Sequence, residues 1–244
     1  MRNLSEHDLI QIWEIGLRQH PIDRALTILA AAAPDLGWDE LETLSIGQRD
    51  ARLLEVWHRT FGPDLESYAE CPQCAERLEF TLNAAQLSAS APPATAEATY
   101  QWSGDDFTIE FRLPNSRDLA AIVSCGQPER AHHLLVSRCI VGAFQGDERI
   151  VPAELPAAIL GGIAERMTKH DPLAEVLLDL TCPACQSRWQ ALFDIGAFLW
   201  SELAATARRL LREIHTLARA YGWREADILA LSATRRQSYL ELVS

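Results

Sequence analysis

Two short motifs, Cys71-Pro72-Gln73-Cys74 and Cys182-Pro183-Ala184-Cys185, constrain this chain more than any other feature of its sequence. Two thiolates separated by two residues can reach one metal ion from a single tight turn, yet they fill only half of the tetrahedral sphere that zinc prefers. Two such half-sites in one chain predict closure on a single ion, with Cys71, Cys74, Cys182 and Cys185 as its ligands. The flanks repeat as well. Laid without a gap, Cys71 to Asn83 and Cys182 to Asp194 superpose both turns and pair Arg77 with Arg188. The same alignment places Leu78 on Trp189, Leu82 on Phe193 and Asn83 on Asp194. Each half reads as a turn followed by a short alternating strand. Two such units facing each other make a zinc-ribbon-like element, interrupted here by the 107 residues between Cys74 and Cys182.

Other uses of the cysteines fit less well. A thioredoxin-type redox pair needs one motif at a helix start after a strand, whereas here two motifs each precede a strand. A catalytic zinc needs an open coordination position, and four thiolates leave none. The His-x-Glu of the zinc deaminases is absent upstream. The expected cofactor is therefore one structural zinc ion. Loop-closure entropy grows only logarithmically, and structural zinc contributes on the order of 10 kcal/mol, so the long interruption is tolerable. Cys125 and Cys139 lie in apolar helical stretches and are expected to be buried core thiols.

The chain has 244 residues, enough for one good-sized domain or two small ones, and 48% of them are apolar, which permits a sizeable core. Its net charge of -12 argues against a protein that coats nucleic acid or lies on anionic lipid. The acidity is uneven, because residues 201–244 carry seven Arg against five Asp and Glu. No stretch reaches the roughly 18 apolar residues of a membrane-spanning helix. Met1 to Ile10 lacks the basic start and apolar run of a signal peptide, so a cytoplasmic location with reduced cysteines is expected.

Hydrophobic periodicity predicts an α+β fold: helical N- and C-terminal regions around the bipartite β element, with a long insertion of helices and a hairpin. The expected segments are 1–64 (helical), 65–83 (first knuckle and strand), 84–172 (insertion), 173–195 (second knuckle and strand) and 196–244 (helical). Ser5 with Asp8, Pro21, and Ser45 with Gln48 mark helix starts in the first segment, and Gly62-Pro63 ends it. Leu78, Phe80 and Leu82 alternate as a strand, and residues 84 to 98 read as a linker or long loop. Tyr100 to Trp102 and Phe107 to Arg112 predict a hairpin around Ser103-Gly104-Asp105-Asp106. Helical spacing then runs from Asn115 to Phe144, and a further helix covers Leu155 to Met167. Val176 to Leu180 and Arg188 to Phe193 read as strands. In the last segment Leu203, Ala207, Leu210, Ile214, Leu217 and Tyr221 form a narrow seam expected to pack on the protein's own body; Gly222 ends that helix and two shorter ones follow.

Nothing in the chain assembles a nucleophile, a base and an orienting group. There is no Gly-rich phosphate loop, His-Glu-x-x-His or Gly-x-Ser-x-Gly elbow. His132 and His133 are adjacent on a predicted helix and are not expected to face one pocket, and Asp105 and Asp106 suit a turn for backbone reasons. The chain reads as a binding or scaffolding protein without enzymatic activity.

Three stretches together carry a family resemblance. They are Leu44-Ser45-Ile46-Gly47-Gln48-Arg49-Asp50 leading through Phe61-Gly62-Pro63 to the first cysteine motif, Leu180-Thr181 with the second motif, and Leu211 to His215 continuing as Tyr221-Gly222-Trp223-Arg224-Glu225-Ala226-Asp227-Ile228-Leu229. In these the chain resembles the T-even phage baseplate protein family, also called baseplate hub assembly chaperones. Bacterial members are encoded beside phage-tail-like contractile injection systems. The resemblance implies a non-enzymatic role in the baseplate or its assembly, with hub or spike proteins as partners. The expected docking surface is the C-terminal region from Trp200 to Val243, with Arg208, Arg209, Arg212, Arg219, Arg235 and Arg236 beside the apolar seam. The alternative reading is a zinc-ribbon nucleic-acid-binding or transcription accessory protein. The acidic body and the lack of aromatic residues interleaved with basic ones weigh against it.

Overall fold

The computed structural model describes residues 1–89, 99–104 and 106–243. Four helices open the chain. Helix α1 (Glu6–Gly16) starts at a reciprocal cap, in which the Ser5 hydroxyl accepts from the Asp8 amide and the Asp8 carboxylate accepts from the Ser5 amide. Helix α2 (Pro21–Ala32) opens on its proline, and α3 (Trp38–Thr43) is a short helix that the sequence pattern does not announce. Helix α4 (Ile46–Phe61) begins with the expected Ser45–Gln48 box and stops at Gly62, whose φ of 104° suits a residue without Cβ. The apolar stripes of α1, α2 and α4 converge in one core around Leu9, Ile28, Leu29, Leu53, Leu54 and Val56.

Strands β1 (Asp64–Glu70) and β2 (Arg77–Asn83) follow as an antiparallel hairpin in unbroken register from Asp64↔Asn83 to Glu70↔Arg77. Where a loop was expected from residue 84, the chain instead forms α5 (Ala84–Ser88). The Asn83 side chain accepts from the Ala85 and Gln86 amides, and Ala84 and Leu87 pack on the first core, so a cap and a small apolar face suffice for one turn. The remainder of the expected linker, residues 90–98, lies outside the described residues.

A second core belongs to the segment that follows. Strands β3 (Tyr100–Gly104) and β4 (Phe107–Phe111) form the expected hairpin; Asp106 sits at φ 65° in its turn, and Asp105 is outside the described residues. Helices α6 (Ser116–Ile122) and α7 (Pro128–Cys139) come next. The helical run expected to reach Phe144 ends at Cys139, because Ile140–Gln145 is strand β5, paired with β4 through an irregularity at Glu110/Phe111. β-branched Ile140 and Val141 favour that extended backbone, and Ile140 and Ala143 keep an apolar face on the core. Strand β6 (Glu148–Arg149) completes an antiparallel sheet in the order β3-β4-β5-β6, and α8 (Ala157–His170) covers it with Ile159, Leu160 and Ile163. Cys139 is fully buried here, as expected, and burial with the nearby Asp118 carboxylate pushes its thiol up to about 12. Cys125 differs from expectation: it is half-buried in the turn between α6 and α7, where the helical period is already broken.

The two cores meet at the N-terminus of α4. The Ile46 amide donates to the Pro114 carbonyl (3.0 Å), and the Gly47 amide donates to Oδ2 of the buried Asp171 (2.9 Å). Strands β7 (Val176–Thr181) and β8 (Arg188–Phe193) then form a second two-stranded hairpin. Helix α9 (Ile195–Tyr221) starts at Asp194, whose carboxylate accepts from the Ala197 amide, and lays Leu199 and Leu203 into the first core. Gly222, at φ 69°, caps it in the left-handed region. Helices α10 (Glu225–Leu229) and α11 (Ala233–Val243) fold back on α9 around a third small core of Ile10, Ala207, Leu210, Ile214, Leu217 and Ile228. The result is an α+β fold. Among the described residues no helix is long and apolar enough to cross a membrane.

Candidate metal centre

Each cysteine motif sits at the tip of a hairpin, between β1 and β2 or between β7 and β8. The two tips are built alike. In the first, the Ala75 amide donates to the Cys71 carbonyl and the Cys71 amide to the Glu76 carbonyl, both at 2.9 Å. In the second, Gln186 donates to Cys182 at 3.0 Å and Cys182 to Ser187 at 2.9 Å. The residue after each motif turns left-handed, Ala75 at φ 60° and Gln186 at φ 61°, which reverses the chain tightly enough to aim both sulfurs of a motif the same way.

The four ligand candidates named from the sequence come together. Their sulfurs all lie within 4.8 Å of one another, with Cys71 and Cys182 buried and Cys74 and Cys185 exposed. Across the hairpins, Cys71 Sγ is 3.6 Å from Cys185 Sγ, and Cys74 Sγ is 3.6 Å from Cys182 Sγ. These separations exceed the roughly 2.05 Å of a disulfide. A regular tetrahedron with metal–sulfur bonds of about 2.3 Å has edges of about 3.8 Å, so the cross-hairpin distances suit four thiolates around one ion.

The electrostatics point the same way. Burial disfavours the Cys71 thiolate, but the amides of Gln73 and Cys74 and the thiols of Cys185 and Cys182 outweigh it and bring Cys71 down to about 7. At Cys74 the Glu76 amide favours the thiolate, yet the Cys185 and Cys182 sulfurs with burial push it up to about 12. Cys185 is also raised: burial and the Cys182 and Cys71 sulfurs outweigh the Ser187 amide. Four sulfurs this close resist ionising together without a cation among them. Each hairpin alone is a two-stranded ribbon of a kind marginal in water, and its inward side chains, including Leu78, Phe80, Leu180 and Trp189, are only half-buried. Apolar packing is firm at the hairpin bases, where Leu65, Leu82, Val176 and Phe193 join the first core. Tips of this kind need another tether, and the thiol cluster is the group placed to supply one.

The six arginines named for docking divide. Arg208, Arg209, Arg212, Arg219 and Arg235 are exposed. Arg236 is not: it is 3% exposed and donates to both Glu6 oxygens (2.7 and 2.5 Å) and to Glu213 (2.7 Å), which ties α11 to α1 and α9. Arg209 leans toward Glu213 at 3.8 Å, and Arg235 lies 5.8 Å from the Tyr239 ring centre. The apolar seam of α9 packs on the protein's own body from Leu203 to Leu217, and only Tyr221 at its end is exposed. His132 and His133 both border one groove with Pro128, Glu129, Ala157 and Leu160, contrary to expectation. A groove between two helices can meet adjacent residues along its rim.

The motifs behind the family resemblance have physical roles here. Ser45 and Gln48 cap α4, Gly47 admits Asp171, and Arg49 pairs with the buried Asp50 at 2.7 Å. Trp223 stacks on Tyr221 with ring centres 4.6 Å apart, beside the Gly222 cap. Comparison with curated proteins and with solved structures yields no match. Among protein families, the one described as T4 bacteriophage base plate protein matches residues 19–200, a span that holds α4 and both cysteine hairpins and ends within α9, before the Tyr221–Leu229 stretch. The chain therefore belongs to the T4 bacteriophage base plate protein family.

Proposed function

We propose that the chain is a non-enzymatic baseplate protein or hub assembly chaperone of a phage-tail-like contractile injection system, stiffened by one structural zinc ion and binding hub or spike proteins. The observation that carries the zinc is the convergence of Cys71, Cys74, Cys182 and Cys185 from two hairpins far apart in sequence. Membership of a baseplate family supports the setting and implies contact with other baseplate components. Four thiolates would fill the coordination sphere, so the ion has no position for substrate, which supports a structural role. In this reading segments 65–83 and 173–195 act as one zinc-ribbon-like element between helical segments 1–64 and 196–244, and the clamp carries segment 84–172 as an insertion.

The test is to tag the protein in its native host and compare its partners in the soluble pool with those in purified contractile particles. Hub or spike proteins bound in the soluble pool, with the bait missing from particles, identify a chaperone that acts in the cytoplasm. Stable recovery in particles identifies a structural component. Absence of tail proteins from both fractions refutes the reading.

A further inference from the structure

We propose that the outward face of α9 is a docking strip for an acidic protein segment, formed by Arg208, Arg212, His215 and Arg219. This deepens the function proposed above and rests on it for the partner's setting. The four positions step by four, three and four, so they share one side of the helix, opposite the buried Leu203, Ala207, Leu210, Ile214 and Leu217. At about 1.5 Å per residue the strip runs about 16 Å, three helical turns. All four side chains are exposed, and among the described residues none has a hydrogen-bond or ion-pair partner.

The protein's own stability accounts only for the end of such a strip, where Arg219 in the last turn of α9 meets the negative end of the helix dipole. Like charges at i and i+4, as in Arg208 and Arg212, weaken a helix, and a glutamate between them would strengthen it. The chain carries 34 Asp and Glu against 22 Lys and Arg, yet α9 holds only Glu202 and Glu213, and Glu213 is turned to Arg236 and Arg209. Cation without counter-ion on an otherwise acidic protein is the pattern of electrostatic complementarity to a partner, which sets specificity and encounter rate. The C-terminal end of the strip is also concave: His215 and Arg219 line a shallow pocket with Thr216, Ala220 and Val243. The fit is to a short acidic segment, helical or extended, with an apolar residue near one end. The seam that sequence alone placed beside the arginines is buried and takes no part.

The experiment compares the full chain with Arg208→Glu/Arg212→Glu/Arg219→Glu and with the milder Arg208→Gln/Arg212→Gln/Arg219→Gln. The probes are a labelled 15-residue Glu-rich helical peptide, a single-stranded oligonucleotide, and each purified hub or spike protein. Unchanged metal content and melting temperature serve as the folding control. The inference expects wild-type binding to the peptide and to one baseplate protein, weakened by salt, and lost about tenfold or more in the charge-reversed variant with an intermediate loss in the glutamine one. Peptide binding within twofold of wild type in both variants overturns it. Tighter binding of the oligonucleotide than of the peptide, or self-association that the variants abolish, overturns it in favour of nucleic acid or a second copy. If no hub or spike protein binds but the peptide does, the strip stands and the function proposed above fails.

Discussion

Replacing the second cysteine pair, Cys182→Ser with Cys185→Ser, removes half of the proposed coordination sphere and unties the hairpin tips. The cost can be worked from the chain. A cross-link at this site closes a loop of the 107 residues between Cys74 and Cys182, and by the chain-entropy relation for a loop near 100 residues this constraint is worth about 5 kcal/mol. The bases of both hairpins remain packed through Leu65, Leu82, Val176 and Phe193, so the body should stay folded, unlike an isolated zinc finger deprived of metal. For a chain of this size each kcal/mol moves the melting temperature by about 2–4 °C, which predicts a fall of about 10–20 °C. Differential scanning calorimetry beside metal analysis tests this, with the half-buried Cys125→Ser as a control expected to shift stability by less than about 0.5 kcal/mol. A double variant that binds no metal yet melts within 2 °C of wild type would falsify the clamp.

Three other predictions follow from the packing. Gly47→Ala would put a Cβ 1.7 Å from Asp171 Oδ1, so the junction of the two cores must open; a loss of about 1–3 kcal/mol in urea titration is expected, and wild-type stability would contradict that contact. Arg236→Ala leaves Glu6 and Glu213 facing each other without their cation, and a loss of about 3 kcal/mol is expected because both carboxylates are partly shielded; Arg208→Ala should be nearly neutral in the same assay. Burial raises the pKa of Asp171 above its unfolded value, so its contribution to stability is present below the unfolded pKa and is lost as pH rises through the folded one. Asp171→Asn, whose side-chain oxygen can still accept from Gly47, should therefore gain on wild type at pH 8 and lose that gain as pH falls from the folded pKa to the unfolded one, whereas a pH-independent effect in urea titrations would rule out the buried charge as the cause.

How much of this was legible in the sequence depends on the range of the interaction. The cysteine cluster was readable because thiol chemistry, a two-residue spacing and matching flanks all act locally, and the repeat extends to the caps Asn83 and Asp194 that start α5 and α9. Strand β1 escaped because Ser67 and Ala69 on its inward face are too small or polar to mark a period of two. Strand β5 was absorbed into the preceding helix because Leu134, Leu135, Cys139 and Ile140 continue one apolar stripe while the backbone changes from α7 to strand. Arg236 looked like a surface charge, since its partners Glu6 and Glu213 lie 230 and 23 residues away. The Gly47–Asp171 contact spans 124 residues and leaves no local trace beyond a glycine near a helix start, although its neighbours Ser45 and Gln48 were plain as a cap.

The most direct test of the central claim is X-ray absorption at the zinc edge on protein purified without added metal, with zinc per chain measured on the same sample. The account predicts one zinc per chain, four sulfur neighbours at about 2.3 Å and no nitrogen or oxygen shell. A chain free of metal after gentle purification, or an ion with two sulfurs and lighter ligands, would contradict it.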